Sequence, residues 1–185
     1  ARDVAETPAP RFAGRRGVRP GRSWVAQAAA LIMTCAVTAG TTAFVMSRMN
    51  DKAGLERDVF AAHVRSLLQD SPTQVASSDT HTVKPWFAGR LEFAPTVRDL
   101  AAEGFPLAGA RLDYVGGRRV AALVYRRRLH IVNVFVWPSP DAIDSPPRAL
   151  NERGYNLLTW RRAGVAYWAV SDLNVDELSQ LQSLL

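Results

Sequence analysis

Between Trp24 and Met46 the chain reads WVAQAAALIMTCAVTAGTTAFVM, without one charged side chain. At about 1.5 Å of rise per residue, an α-helix of that length reaches roughly 34 Å, enough to cross a hydrocarbon core of about 30 Å. A helix packed on a soluble core keeps a polar face. This run has only threonines and Gln27 to offer as polar groups. Threonine hydroxyls can bond back to the helix's own carbonyls, so they do not forbid a lipid environment. The run predicts a single membrane-spanning helix over 24–46.

Charge placement predicts its direction. Arg11, Arg15, Arg16, Arg19 and Arg22 crowd the N-terminal flank, opposed only by Asp3 and Glu6. On the other flank Arg48, Lys52 and Arg57 alternate with Asp51, Glu56 and Asp58. Basic residues near a span stay on the cytoplasmic side, which puts the N-terminus inside and the large C-terminal part outside. A basic tail beside a membrane reads as topology and attraction to anionic lipid, rather than as a nucleic-acid site. The competing reading is a cleaved export signal with Arg15-Arg16 as a twin-arginine pair. The apolar run is longer than a usual signal core, and no strong small-x-small cleavage site follows it.

The only cysteine, Cys35, lies inside the run. An intrachain disulfide and a cysteine-based zinc site are therefore excluded for these 185 residues. An exported domain of this chain is held by its apolar core.

In order, residues 1–23 read as a flexible basic tail rich in Pro, Gly and Arg. The chain opens on Ala1 rather than Met, as a processed product or a segment of a longer protein does. Within the span, Ala29, Ala36 and Gly40 fall near one helical stripe, where small side chains let a second helix approach; such residues are also common in spans without any partner. Residues 47–72 read as a helical stalk, either standing out as a rigid rod or packing on the domain. In it Leu55, Val59, Ala62, Ser66 and Leu67 follow steps of three and four, and Asp70-Ser71-Pro72 ends the helix.

Residues 73–185 change to short apolar segments broken by Gly and Pro. The pattern predicts a strand over Trp86 to Phe93, a short helix near Val97 to Glu103, and a hairpin of Leu107 to Val115 with Arg118 to Arg126 about Gly116-Gly117. After a turn at Arg126-Arg127-Arg128, read as a solvated tip, Leu129 to Trp137 is apolar on both faces and reads as a central strand. Pro138 to Pro147 reads as a loop that stops the ladder. Tyr155 to Arg161 and Val165 to Val170 predict a second hairpin about Ala163-Gly164. Asn174 caps a final helix with Asp176 and Glu177 in its first turn. The sum is an α+β domain, an antiparallel sheet of about five or six strands flanked by helices.

Catalytic signatures are missing. There is no Gly-x-Ser-x-Gly elbow, phosphate loop, dinucleotide glycine fingerprint or His-Glu-x-x-His. His63, His81 and His130 fall in three different elements, without the spacing of a helical metal pair. Asp79 with His81 makes an acid–base pair on paper, yet nothing supplies a nucleophile. No enzyme, cofactor or metal is expected.

The most distinctive stretch is Ser77 to Leu91, which contains His81-Thr82-Val83-Lys84-Pro85-Trp86-Phe87-Ala88-Gly89-Arg90. It resembles the extracytoplasmic part of bacterial transmembrane anti-sigma factors, which carry a His-Thr-Val-Lys-Pro-Trp-Phe-x-Gly-[Lys/Arg] run. The likeness continues through Leu107 to Tyr114, Val120 to Arg126, His130 to Pro138, Gly154 to Leu157 and Tyr167 to Asn174. The resemblance implies an inner-membrane protein with a periplasmic C-terminal domain, one that holds an extracytoplasmic-function sigma factor through a cytoplasmic N-terminal module and releases it on an outer signal. That module usually carries His-x-x-x-Cys-x-x-Cys. No His or Cys precedes Trp24 here, so the sequence departs from the family pattern there: the module has been lost or lies outside these residues, or the exported fold serves another partner.

Read physically, Pro85 fixes an extended approach, Trp86 and Phe87 supply contact area, and Lys84 and His81 stand just before them. They form either a partner-binding patch or an ordinary core edge. Two roles follow for the protein: a membrane regulator with a non-catalytic sensing domain whose partner is a sigma factor, or an accessory subunit docked on a larger membrane complex.

Overall fold

The computed structural model describes residues 22–140 and 143–185. The tail reading of 1–21 and the Arg15-Arg16 pair lie outside them. By its internal contacts the chain divides into a first unit ending at Arg48 and a second, Met49–Leu185.

One α-helix, α1, runs over Arg22–Leu67 and carries the apolar run in its first half. There Leu31, Ile32, Met33 and Met46 are 68–69% exposed. Thr34, Thr38 and Thr41 donate their hydroxyls to the carbonyls of Ala30, Thr34 and Val37 at 2.9 Å. This is how a polar side chain is satisfied without water. Among the described residues this one helix is long and apolar enough to cross a membrane.

The second unit is α+β. A six-stranded antiparallel sheet has the order β1-β2-β3-β6-β5-β4, from β1 (Leu107–Val115), β2 (Arg118–Arg127), β3 (His130–Pro138), β4 (Ser145–Glu152), β5 (Tyr155–Arg162) and β6 (Val165–Ser171). Helices α2 (Thr80–Trp86) and α3 (Val175–Leu184) complete it. The alternation along β3 sorts its side chains to two cores. Val132, Val134 and Val136 join Val83, Phe87, Leu178 and Leu181 on one face. Phe135 and Trp137 join Val59 and Ala62 of α1 on the other. A strand buried on both sides is what an uninterrupted apolar run produces. Each such side chain contributes about 1.5–3 kcal/mol by leaving water. Asn174 caps α3 as its sequence position predicts, accepting from Glu177 N–H at 2.8 Å.

Four expectations are corrected. Trp86 to Phe93 is not a strand: residues 80–86 are helical, and Pro85 stands inside that helix rather than in an extended approach. The helix forms because Asp79 caps it and Val83 and Phe87, one turn apart, both point into the core. Val97 to Glu103 is no helix but ends in a turn closed by Phe105 N–H on Leu100 C=O. Its backbone is engaged elsewhere, with Arg98 C=O accepting from the Tyr125 hydroxyl at 2.9 Å. The loop read over Pro138 to Pro147 already contains the start of β4. As an edge strand β4 pairs only with β5, and a bulge between Ser145 and Arg148 accommodates Pro146 and Pro147. The arginine turn is not wholly solvated either. Arg127 donates to Glu177 at 3.3 Å and lies 4.5 Å over the Phe105 ring, while Arg126 and Arg128 stay exposed.

The outer edge of β1 is not left open. Residues 74 and 75 bond to Ala110, whose N–H donates to Val75 C=O at 2.9 Å. Gly109 lies beneath this cover with φ +144°, at the register shift in β1.

Candidate functional site

Two places in the second unit gather chemistry-bearing residues. The first is α2 and its flank, the stretch singled out by sequence. Asp79 accepts His81 N–H at 2.8 Å and the Thr82 hydroxyl at 3.0 Å. The His81 N–H bond, then the Thr82 hydroxyl, hold its carboxyl below the usual carboxylate range. Asp79 thus acts as a helix cap rather than as half of an acid–base pair. Val83 and Phe87 are buried. His81, Lys84 and Pro85 are exposed, and Trp86 is half-buried. The Arg90 guanidinium lies 4.8 Å over the Trp86 ring and donates to its carbonyl at 2.6 Å. Beside Lys84 and Phe87 a shallow hollow of about 260 Å³ is bounded by Leu91 and Phe93. Of the five predicted residues, Phe87 is core. The other four present a surface of one aromatic and two polar side chains around Pro85.

The second place was not anticipated. The last turns of α1 meet the sheet through a buried polar chain. Arg111 on β1 is 4% exposed, Asn133 on β3 is 0%, and His63 and Ser66 on α1 are 1% and 2%. Arg111 donates to Asn133 Oδ1 at 3.1 Å, to Pro72 C=O at 3.0 Å and to Asp113 at 3.1 Å. Asn133 Nδ2 meets His63 Nδ1 at 2.8 Å and donates to Ser66 Oγ at 2.7 Å. Ser66 in turn donates to His63 C=O at 2.7 Å.

The donor inventory fixes every orientation in this chain. Arginine can only donate, so Asn133 turns its oxygen to Arg111 and its amino group to His63. His63 Nδ1 must then accept, and the ring carries its proton on Nε2. Burial first, then the Arg111 charge, bring His63 down from 6.5 to about 4, against an opposing pull from Asp172. Burial also lowers Arg111, which the carboxylate of Asp113 counteracts. The Tyr155 ring packs edge-on to His63 with centroids 5.1 Å apart.

Two signals in the sequence pointed here. His63 lies on the stalk's apolar stripe between Val59 and Ser66, and Asn133 interrupts an otherwise apolar face of β3. Of the other histidines, His130 pairs with Asp172 at 2.8 Å and His81 is exposed. No group of three or more His, Cys, Asp or Glu stands close enough to hold a metal among the described residues. In the first unit Ala29, Ala36 and Gly40 are all exposed.

Compared with known proteins, the chain matches no family model, no curated sequence and no solved structure.

Proposed function

We propose that the protein is a single-pass membrane regulator whose C-terminal domain receives a signal by contact, without catalysis, on the outer side of a bacterial inner membrane. The observation that carries this reading is the double duty of α1. Its first half is the apolar run, and its last turns, through Val59, Ala62, His63 and Ser66, are part of the domain's own core. An event that repacks the domain therefore acts on the same helix that enters the membrane. The arginines before Trp24 support the assignment of sides. The likeness of Ser77 to Leu91 to anti-sigma factors supports a sigma factor as the final recipient of the signal.

The exposed face of α2 is the proposed contact surface, since an aromatic ring beside a cation is the usual anchor of a protein interface. Trp86→Ala combined with Lys84→Ala is expected to reduce recovery of the partner, purified with the full chain from mild detergent, by about tenfold or more. Lys84→Ala alone, which removes only an exposed side chain, should show a smaller loss in the same direction. Undiminished recovery with both variants, each still unfolding cooperatively, removes this surface from the account.

A second reading, an accessory subunit of a larger membrane complex, has one observation in its favour. Ala29, Ala36 and Gly40 fall near one helical stripe of the run, and small side chains there let a second helix approach closely. The same purification separates the two: a sigma factor in the eluate supports the regulator, and stoichiometric recovery of an integral membrane complex supports the subunit.

A further inference from the structure

We propose that the junction of α1 with the sheet is an acid-sensitive latch, in which protonation of His63 releases the last turns of α1 from β1 and β3. The latch itself stands on the geometry of the junction; its meaning as a signal rests on the regulator reading above.

The argument is one of donors. His63 Nδ1 is held by the amino group of Asn133 at 2.8 Å, and Asn133 cannot turn round because Arg111 holds its oxygen. A proton added to Nδ1 places N–H against N–H, and no rotation of a side chain within the chain Arg111–Asn133–His63 restores an acceptor. The new charge also arrives in a site that excludes water, which makes both the lost bond and the charge expensive.

The charged and titratable neighbours do not offset it. On α1 itself Arg65, two residues on, is a cation paired to Asp113 at 3.4 Å. On β1 stand Arg111 and Asp113, and that carboxylate is shared by both arginines. β5 presents the ring of Tyr155, edge-on to His63. Just after β6 is Asp172, a carboxylate whose field favours the imidazolium, and it is bonded to His130. Around the added proton, then, each carboxylate is already engaged, Asp113 by the two arginines and Asp172 by His130, and Arg111 opposes the charge directly. The way to relieve it is for residues 63–67 to leave the sheet and let the ring reach water. The downward displacement of the His63 pKa to about 4 has the direction this geometry demands.

Hydrogen exchange on the full chain in detergent, at about pH 7 and about pH 4 and corrected for intrinsic rates, tests the latch. In the natural sequence, peptides covering 59–67 should gain about tenfold or more in exchange at the lower pH while β2 and β5 stay protected. His63→Gln supplies a carbonyl oxygen to Asn133 and no titrating group, so its 59–67 peptides should show no such gain. His130→Gln, which alters a half-exposed histidine on β3, should leave the gain intact. Protection of 59–67 that persists at low pH overturns the latch. So does a gain that survives His63→Gln, or loss of protection in all strands at once. Should the latch open as described while partner recovery is the same at both pH values, the latch stands and the regulator reading falls.

Discussion

Asn133→Ala is expected to lower the unfolding free energy of the second unit by about 3 kcal/mol. The figure comes from what the change leaves behind. Three hydrogen bonds of the Asn133 side chain disappear, and His63 Nδ1 loses its donor in a site that water does not reach. A typical hydrogen bond contributes about 1 kcal/mol net, and an orphaned buried group adds about 1–3 kcal/mol more. Arg111 keeps Asp113 and Pro72 C=O, so its charge is not stranded, which sets the upper limit of the effect. Denaturant unfolding in a fixed detergent checks it, with Ser66→Ala as the companion. Ser66 shares the same amino group, so the double variant should lose less than the two single losses added together. A loss under about 1 kcal/mol for Asn133→Ala would show that the junction is wet.

Gly109→Ala is the second large effect, expected at about 3 kcal/mol from an unrelated cause. At φ +144° the backbone is one that residues with a Cβ rarely adopt. The added methyl would also run into the Val75 carbonyl oxygen, which is bonded to Ala110 N–H. Neither group is a flexible side chain that can step aside. Residues 74–75 should lift from the edge of β1, and the exposed strand should associate with other copies. Thermal unfolding together with light scattering measures both consequences. By contrast Gly117→Ala, at φ +77° with nothing within 4 Å of the new atom, should cost only the strain of its turn.

The strands were legible wherever Gly punctuated them. Gly116-Gly117 and Ala163-Gly164 sit between strands within one residue of their predicted ends, because a two-residue turn at positive φ leaves little freedom of register. The two-sided burial of β3 was also readable from Val132 to Trp137. Proline misled in both directions. Pro85 was read as extended, yet capping by Asp79 and the burial of Val83 and Phe87 outweigh what it takes from a short helix. Pro146 and Pro147 were read as a loop, and they occupy an edge where one strand face needs no donor. At residues 81–87 the sequence leaves a binding patch and a core edge equally open, and the structure gives Phe87 to the core, half-buries Trp86 and leaves His81, Lys84 and Pro85 exposed.

The polar junction was harder to read, because no periodicity brings Arg111, Asn133 and His63 together. They come from β1, β3 and α1, and only the pairing of the strands with the helix laid across them makes them neighbours. What the sequence displays at His63 and Asn133 is a lone polar residue among apolar ones, and at Arg111 an Arg-x-Asp pair on one strand face. These are one network once the topology is known.

The account stands on α1 being part of the domain's core as well as the carrier of the apolar run. Comparing residues 49–185 with residues 68–185, each expressed alone, tests that directly by cooperative thermal unfolding. The longer chain keeps Val59 and Ala62 packed with Phe135, Trp137 and Trp168, and His63 and Ser66 bonded to Asn133, and it should melt in one transition. The shorter one exposes that face and should show no cooperative transition at all. Two chains melting alike would mean that the sheet folds without the helix, and the link from domain to membrane would be gone.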